Sequence, residues 1–289
     1  MLSFNESIEL KKSCLDALKA IPVEPDRWSS KTLFWDGTVG SFSGHLIQSE
    51  DVNEFTALGL PKWLALTLDY LFSAHQSLEL AVENCLSILD SIPVGVDLSL
   101  IGSQYLLALM DDPEHGIAHL VHHEKSTEAI SSVRIFHEQL LAKQEPDSAA
   151  WRQLRKELLS YTDQCIDESL EALLCIFAEA CAWHPEKSRT TISDALRCWG
   201  RVQGEVLKSP NWSLEQDQRI RRLLNELYQE EKAKQAPDQN EFIDVFLLLE
   251  KAYPEDSDWV KAQIRWDREK PSEYWPKAIN LLKQQFAKA

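Results

Sequence analysis

Apolar side chains recur every three or four residues along most of this chain, the spacing that lines one face of an α-helix. Phe4, Ile8, Leu10, Leu15, Leu18 and Ile21 predict a first amphipathic helix, closed by Pro22. Residues 22–60 break the pattern. They hold Pro22, Pro25, Gly37, Gly40, Gly44 and Gly59, and Leu33–Gly37 followed by Val39–Phe42 is the one place suited to a strand or short hairpin, with an ordered loop as the alternative. From Pro61 onward the helical period returns, with helices expected over 61–73, 78–91, 100–110, 113–124 and 126–143. A long segment follows from Asp147 to Trp183, bent near Thr162, and then helices over 187–207, 213–234, 239–252, 257–268 and 273–287.

Pro210, Pro237, Pro254 and Pro271 mark joints between the later helices, the last three evenly spaced. The fold class predicted is all-α: stacked antiparallel helices, solenoid-like or an irregular bundle, with a loop-rich N-terminal insertion. The polar stretch Gln229–Asn240 suggests a boundary, giving a main helical domain over 1–236 and C-terminal helices over 237–289 packed on it.

Composition narrows the function classes. With 30 basic and 46 acidic residues the net charge is −16, a field that repels nucleic acid and anionic membrane and attracts a basic protein partner. Plain solubility is the competing explanation. No apolar run of membrane-spanning length is present. Met1–Cys14 lacks the basic start and apolar core of an export signal, so a cytoplasmic location is expected. Cys14, Cys85, Cys165, Cys175, Cys181 and Cys198 form no CxxC pair, and most sit among apolar neighbours, where reduced core thiols are expected.

Two constellations are candidates for chemistry. His115, His119 and His122 or His123 would share one face if their segment is helical, and His115, His119 and His123 would then be the metal ligands of a helical hydrolase. No HExxH accompanies them, Gly116 weakens the helix, and a polar histidine face is the main reading, with no metal and no cofactor expected. The second is acidic. Asp163, Asp167 and Glu171 recur every four residues on an otherwise apolar helix, extended by Glu168, and Glu255, Asp256 and Asp258 cluster beside Trp259. Like charges stacked this way cost a few tenths of a kcal/mol per pair, so they are candidate contacts for a basic partner. Val39–Gly44 lacks the strand-and-helix context of a nucleophile elbow, and no phosphate-binding glycine loop occurs. The mixed charges around Arg219, Arg221 and Arg222 suit a solvated helix face.

Three blocks carry a resemblance. Gly59-Leu60-Pro61-Lys62-Trp63-Leu64 running to Asp69-Tyr70-Leu71-Phe72, then Ile92-Pro93-Val94-Gly95-Val96-Asp97-Leu98-Ser99, then Asp111-Asp112-Pro113-Glu114-His115-Gly116, resemble in order the blocks of immunity protein family five, a family of bacterial immunity proteins. The similarity covers about residues 58–140. Val96 stands where that family has Ala, Glu179–Trp183 is a faint echo of its later part, and residues 205–289 have no counterpart. The resemblance implies a cytoplasmic antidote without catalysis of its own. It would bind and occlude a cognate toxin delivered between bacteria by contact-dependent or type VI systems. It carries over no functional residue. A helical scaffold for adaptor contacts is the remaining alternative.

Overall fold

The structure, a computed structural model, describes residues 2–166, 169–235 and 242–289. It is all-α, and among the described residues extended pairing is limited to isolated bridges. Two compact units divide the chain: the first holds residues 2–205 and 271–289, the second 206–270. The sequence reading put the boundary at 236/237, so this is a correction. The last helix, α14 (Pro271–Ala287), belongs to the first unit, where Tyr105 donates its hydroxyl to the Ala278 carbonyl at 2.9 Å and Lys283 reaches Ser87 at 2.7 Å.

The first unit also contains α1 (Ile8–Lys19), α2 (Phe42–Ile47), α3 (Asn53–Ala57), α4 (Lys62–Ala74), α5 (Leu78–Ser91), α6 (Ile101–Asp111), α7 (Glu124–Leu141), α8 (Ser148–Thr162), α9 (Leu170–Cys181) and α10 (Thr191–Val206). Polar caps set several starts: Ser7, Ser41, Ser77, Asp147 and Ser169 each accept a backbone N–H of the first turn. α4 and α9 bury nearly every face, as their continuous apolar runs require. α7 packs on α6, α8 and α9, and α14 packs on both α5 and α6. A chain of nearest-neighbour contacts would not bring the last helix back to the fifth and sixth, so this unit is an irregular bundle. α10 reaches α14 through Trp199, whose ring lies 6.0 Å from Tyr274 and 6.2 Å from Trp275.

Of the two readings, hairpin or ordered loop, residues 22–60 take the second, a loop that also carries α2 and α3. Its extended pairings are the bridges of Gly40 to Trp28 and to Trp35. A buried carboxylate holds it. Asp69, on α4, accepts the Leu33 N–H at 2.7 Å, the Ser43 N–H at 2.7 Å and the Ser41 hydroxyl at 2.9 Å. Trp28 then stacks on Phe42 and Phe72. Local strand pairing therefore gives way to donors gathered by one side chain from another element.

The segment 147–183 is two helices. Side chains satisfy the last carbonyls of α8: Thr162 bonds to Leu158, Gln164 to Ser160 and Cys165 to Tyr161. Ser169 then caps a fresh start by accepting from Ala172. The apolar period runs through this break because both helices face the same core.

The second unit comprises α11 (Leu214–Lys234), α12 (Val245–Ala252) and α13 (Pro254–Glu269), with Pro254 at the first helical position. Its core is small: Ile220, Leu249 and Val260, flanked by Leu223, Leu224, Leu227 and Trp259. Arg219 forks onto Asp256, with nitrogen–oxygen distances of 3.1 and 2.9 Å, and Gln216 adds a third bond to that carboxylate at 2.8 Å.

Candidate functional site: a groove built by separate sequence blocks

The histidine cluster does not assemble. Residues 113–124 are not a helix: a turn is followed by a short 3-10 segment, Ala118–Leu120, and α7 begins at Glu124. The Asp112 carboxylate captures the backbone N–H groups of Glu114 and His115 at 3.0 and 2.8 Å, and this local bonding outcompetes a helical start. His115, His119 and His123 therefore lack the shared helix face that their spacing suggested. No group of three or more His, Cys, Asp or Glu suited to a metal exists among the described residues.

The acidic candidates scatter as well. Asp163 ends α8 and is exposed, whereas Glu171 lies in the first turn of α9, so the two are not on one helix. Asp167 and Glu168 lie outside the described residues. In the second unit Glu255 and Asp258 are exposed, but Asp256 is 7 % exposed and holds Arg219. Its carboxyl is held below the ordinary value by that guanidinium, which makes it a structural ion pair inside the unit. The cysteines are all free thiols, four of them buried.

What the first unit does assemble is a groove the sequence reading did not single out. Gly59, Pro61, Lys62 and Trp63 from one block and Asp97, Leu98 and Ser99 from another line the same cavity of about 340 Å³. Pro185 and Glu186, from the connection between α9 and α10, close its third side. Trp63 is 1 % exposed and points its indole N–H at a Glu186 carboxylate oxygen, 3.0 Å away. Two glycines make the closure possible. Gly59 has φ +71°, and a Cβ there would lie 2.1 Å from the Leu2 carbonyl oxygen. A Cβ on Gly102 would lie 2.7 Å from Pro185.

The two carboxylates differ in character. Contact with the protein removes water from the Glu186 carboxyl and raises its pKa, against the lowering effect of the Trp63 bond, although much of the side chain's length is exposed. The Asp97 carboxyl is lowered, chiefly by the Ser99 N–H at 3.0 Å. Lys62 and Glu186 also border a second cavity of about 530 Å³, which adds Trp183, Lys187 and Arg189. Trp63, Leu98 and Pro185 give an apolar floor, and the charged lining is two acids, Asp97 and Glu186, and one cation, Lys62, so a long cationic side chain would lay its stem on the floor and its head against Glu186. Glu186 follows His184-Pro185, and no periodicity marks it; only the return of that connection onto α4 makes it part of a site.

No protein-family model, no curated protein and no solved structure matches this chain. No helix among the described residues is long and apolar enough to cross a membrane.

Proposed function

We propose that this protein acts by binding, as an antidote that masks a basic protein toxin, in line with the resemblance of its Gly59–Phe72, Ile92–Ser99 and Asp111–Gly116 blocks to immunity protein family five. The observation that carries the reading is the groove: residues from two of those blocks, far apart in sequence, line one open cleft with carboxylates on its walls. A net charge of −16 supports it, because such a field steers a basic partner and raises the encounter rate. The partner's lysine or arginine side chains would meet Glu186, and occlusion of the toxin's active site would follow from coverage without any reaction on this chain. A cytoplasmic site of action belongs to the same proposal.

The test is co-expression with the protein encoded by the adjacent gene, followed by size-exclusion chromatography at low and high salt. Co-elution at low salt, weakening at high salt, and rescue of growth from the neighbour's toxicity are expected. Glu186→Lys should weaken the complex by about 1–3 kcal/mol, since it puts a like charge against the partner. A complex indifferent to both salt and Glu186→Lys would remove the electrostatic part. Absence of any complex and of any rescue would remove the antidote reading for that neighbour.

A further inference from the structure

Two cysteine sulfurs meet where α8 gives way to α9. Cys165 lies in the turn after Thr162, the last residue of α8. Its N–H donates to the Thr162 carbonyl at 3.0 Å and its thiol to the Tyr161 carbonyl at 3.3 Å. Cys175 sits in the second turn of α9 and is fully buried. The two Sγ atoms are 4.0 Å apart. Among the described residues no other two cysteine sulfurs are in hydrogen-bond contact.

The pair is asymmetric. Cys165 is half-buried, between exposed Gln164 and exposed Ile166, so a small oxidant reaches it from solvent. Cys175 is closed off. Burial, and then the Cys165 sulfur beside it, push the Cys175 thiol up to about 12. Lys125 of α7 stands over the turn, with its ammonium 3.3 Å from the Gln164 carbonyl, and its charge opposes that of Glu171 at the pair. Burial also raises the thiols of Cys14, Cys85, Cys181 and Cys198, and a thiol held in its protonated form is a poor nucleophile. A disulfide needs its sulfurs at about 2 Å. The remaining gap is closed by movement at Cys165, which belongs to no helix, so α9 keeps its hydrogen bonds.

We propose that Cys165 and Cys175 form a reversible peroxide-modification site, with Cys165 the thiol oxidised first and Cys175 the thiol that closes the disulfide. The Cys165 thiolate attacks one oxygen of hydrogen peroxide. The O–O bond breaks, one water leaves, and Cys165 becomes a sulfenic acid. The Cys175 sulfur then attacks the Cys165 sulfur. The S–O bond breaks, the S–S bond forms, and the hydroxyl leaves with the Cys175 proton as a second water. Two electrons pass from the sulfurs to the peroxide, and a dithiol reductant returns them. The site stands apart from the antidote reading.

The test treats the reduced full-length protein with hydrogen peroxide, stops the reaction with catalase, and maps disulfides by mass spectrometry without reduction. A Cys165–Cys175 linked peptide is expected, with the intact mass lower by two hydrogens and restored by dithiothreitol. Cys165→Ser should abolish that linkage and slow thiol loss by about tenfold or more. Cys175→Ser should instead accumulate sulfenic acid at Cys165, captured by dimedone. Cys175→Ala is the second variant of the buried position should the serine variant lose its circular dichroism spectrum. A wild type that keeps both thiols through an exposure that fully oxidises free cysteine overturns the proposal. So does a disulfide joining any other pair or two chains, and so does equal thiol loss in Cys165→Ser. A wild type that collects the dimedone adduct as fully as Cys175→Ser also overturns it, because Cys175 then closes nothing.

Discussion

Asp69 and His137 are buried ionisable side chains whose titrations pull stability in opposite directions. Burial raises the Asp69 carboxyl from 3.8 to about 6, against the lowering effect of its three hydrogen-bond donors. The folded state then holds more protons than the unfolded chain between those values, so this side chain's contribution falls as pH rises through the window, by about 3 kcal/mol. Burial lowers His137 from 6.5 to about 4, where it bonds to the Cys181 carbonyl at 2.9 Å and the Ser103 hydroxyl at 3.2 Å. Here the unfolded chain binds the extra proton, so stability is lost as pH falls from about 6.5 towards 4, by a similar amount. The two nearly cancel in the wild type. Substitution separates them: urea unfolding from pH 4 to 7 should show Asp69→Asn more acid-sensitive than wild type and His137→Gln less so. Asp69→Asn should also cost about 1–3 kcal/mol at pH 7, because its amide NH2 faces groups that are themselves donors. Gly59→Ala should destabilise by about 2 kcal/mol or more in the same assay, since φ +71° and the Leu2 carbonyl leave no room for a methyl group. Gly59 is recognisable in the sequence as a break before Pro61, but the carbonyl that forbids a side chain there comes from the N-terminus. Asp69 and His137 look like ordinary members of helical patterns. Nothing local distinguishes them from surface polar residues, because their burial comes from other elements.

At the scale of elements, helical period and punctuation did most of the work. α5 spans Leu78–Ser91, the range expected, and α4, α6, α7, α10, α11 and α14 start and stop within a few residues of expectation. The misses share a cause. At two places a side chain diverted backbone groups that the periodicity alone would have left helical, Asp112 at the 113–124 segment and Ser169 between α8 and α9, and in the 22–60 region Asp69 gathered donors that strand pairing would have used. Each acidic or histidine constellation built on an unbroken helix then lost its geometry. Caps also supply a prediction. Ser213 accepts the Gln216 N–H at 3.1 Å to start α11, a long helix that buries only Ile220. With so little packing to compensate, Ser213→Ala should lower the stability of the second unit by about 1 kcal/mol, seen as faster amide exchange in α11 to α13 with the first unit unchanged.

For the whole molecule, the charge divides unevenly. Residues 206–270 carry 11 basic and 14 acidic side chains, a net −3, and the rest carries 19 and 32, a net −13. Salt should therefore weaken contacts made by the first unit more than contacts made by the second. The return of α14 has a sharper consequence. A fragment ending at residue 236, the boundary suggested by sequence, lacks Trp275, Ile279, Leu282 and Phe286, which are 5 %, 3 %, 0 % and 0 % exposed in the intact chain. It should fail to show a cooperative unfolding transition by near-ultraviolet circular dichroism, while the full chain shows one. The sequence by itself determined the all-α class, most helix positions and the acidic character, because these depend on periodicity, capping and composition, which act over a few residues or over the whole sum. Tertiary structure alone decided that α14 closes the first unit and that Glu186 meets Trp63 beside the Gly59 and Asp97 blocks. Those facts depend on which distant surfaces pack together, and a helix's own sequence states how apolar its faces are without stating what will cover them.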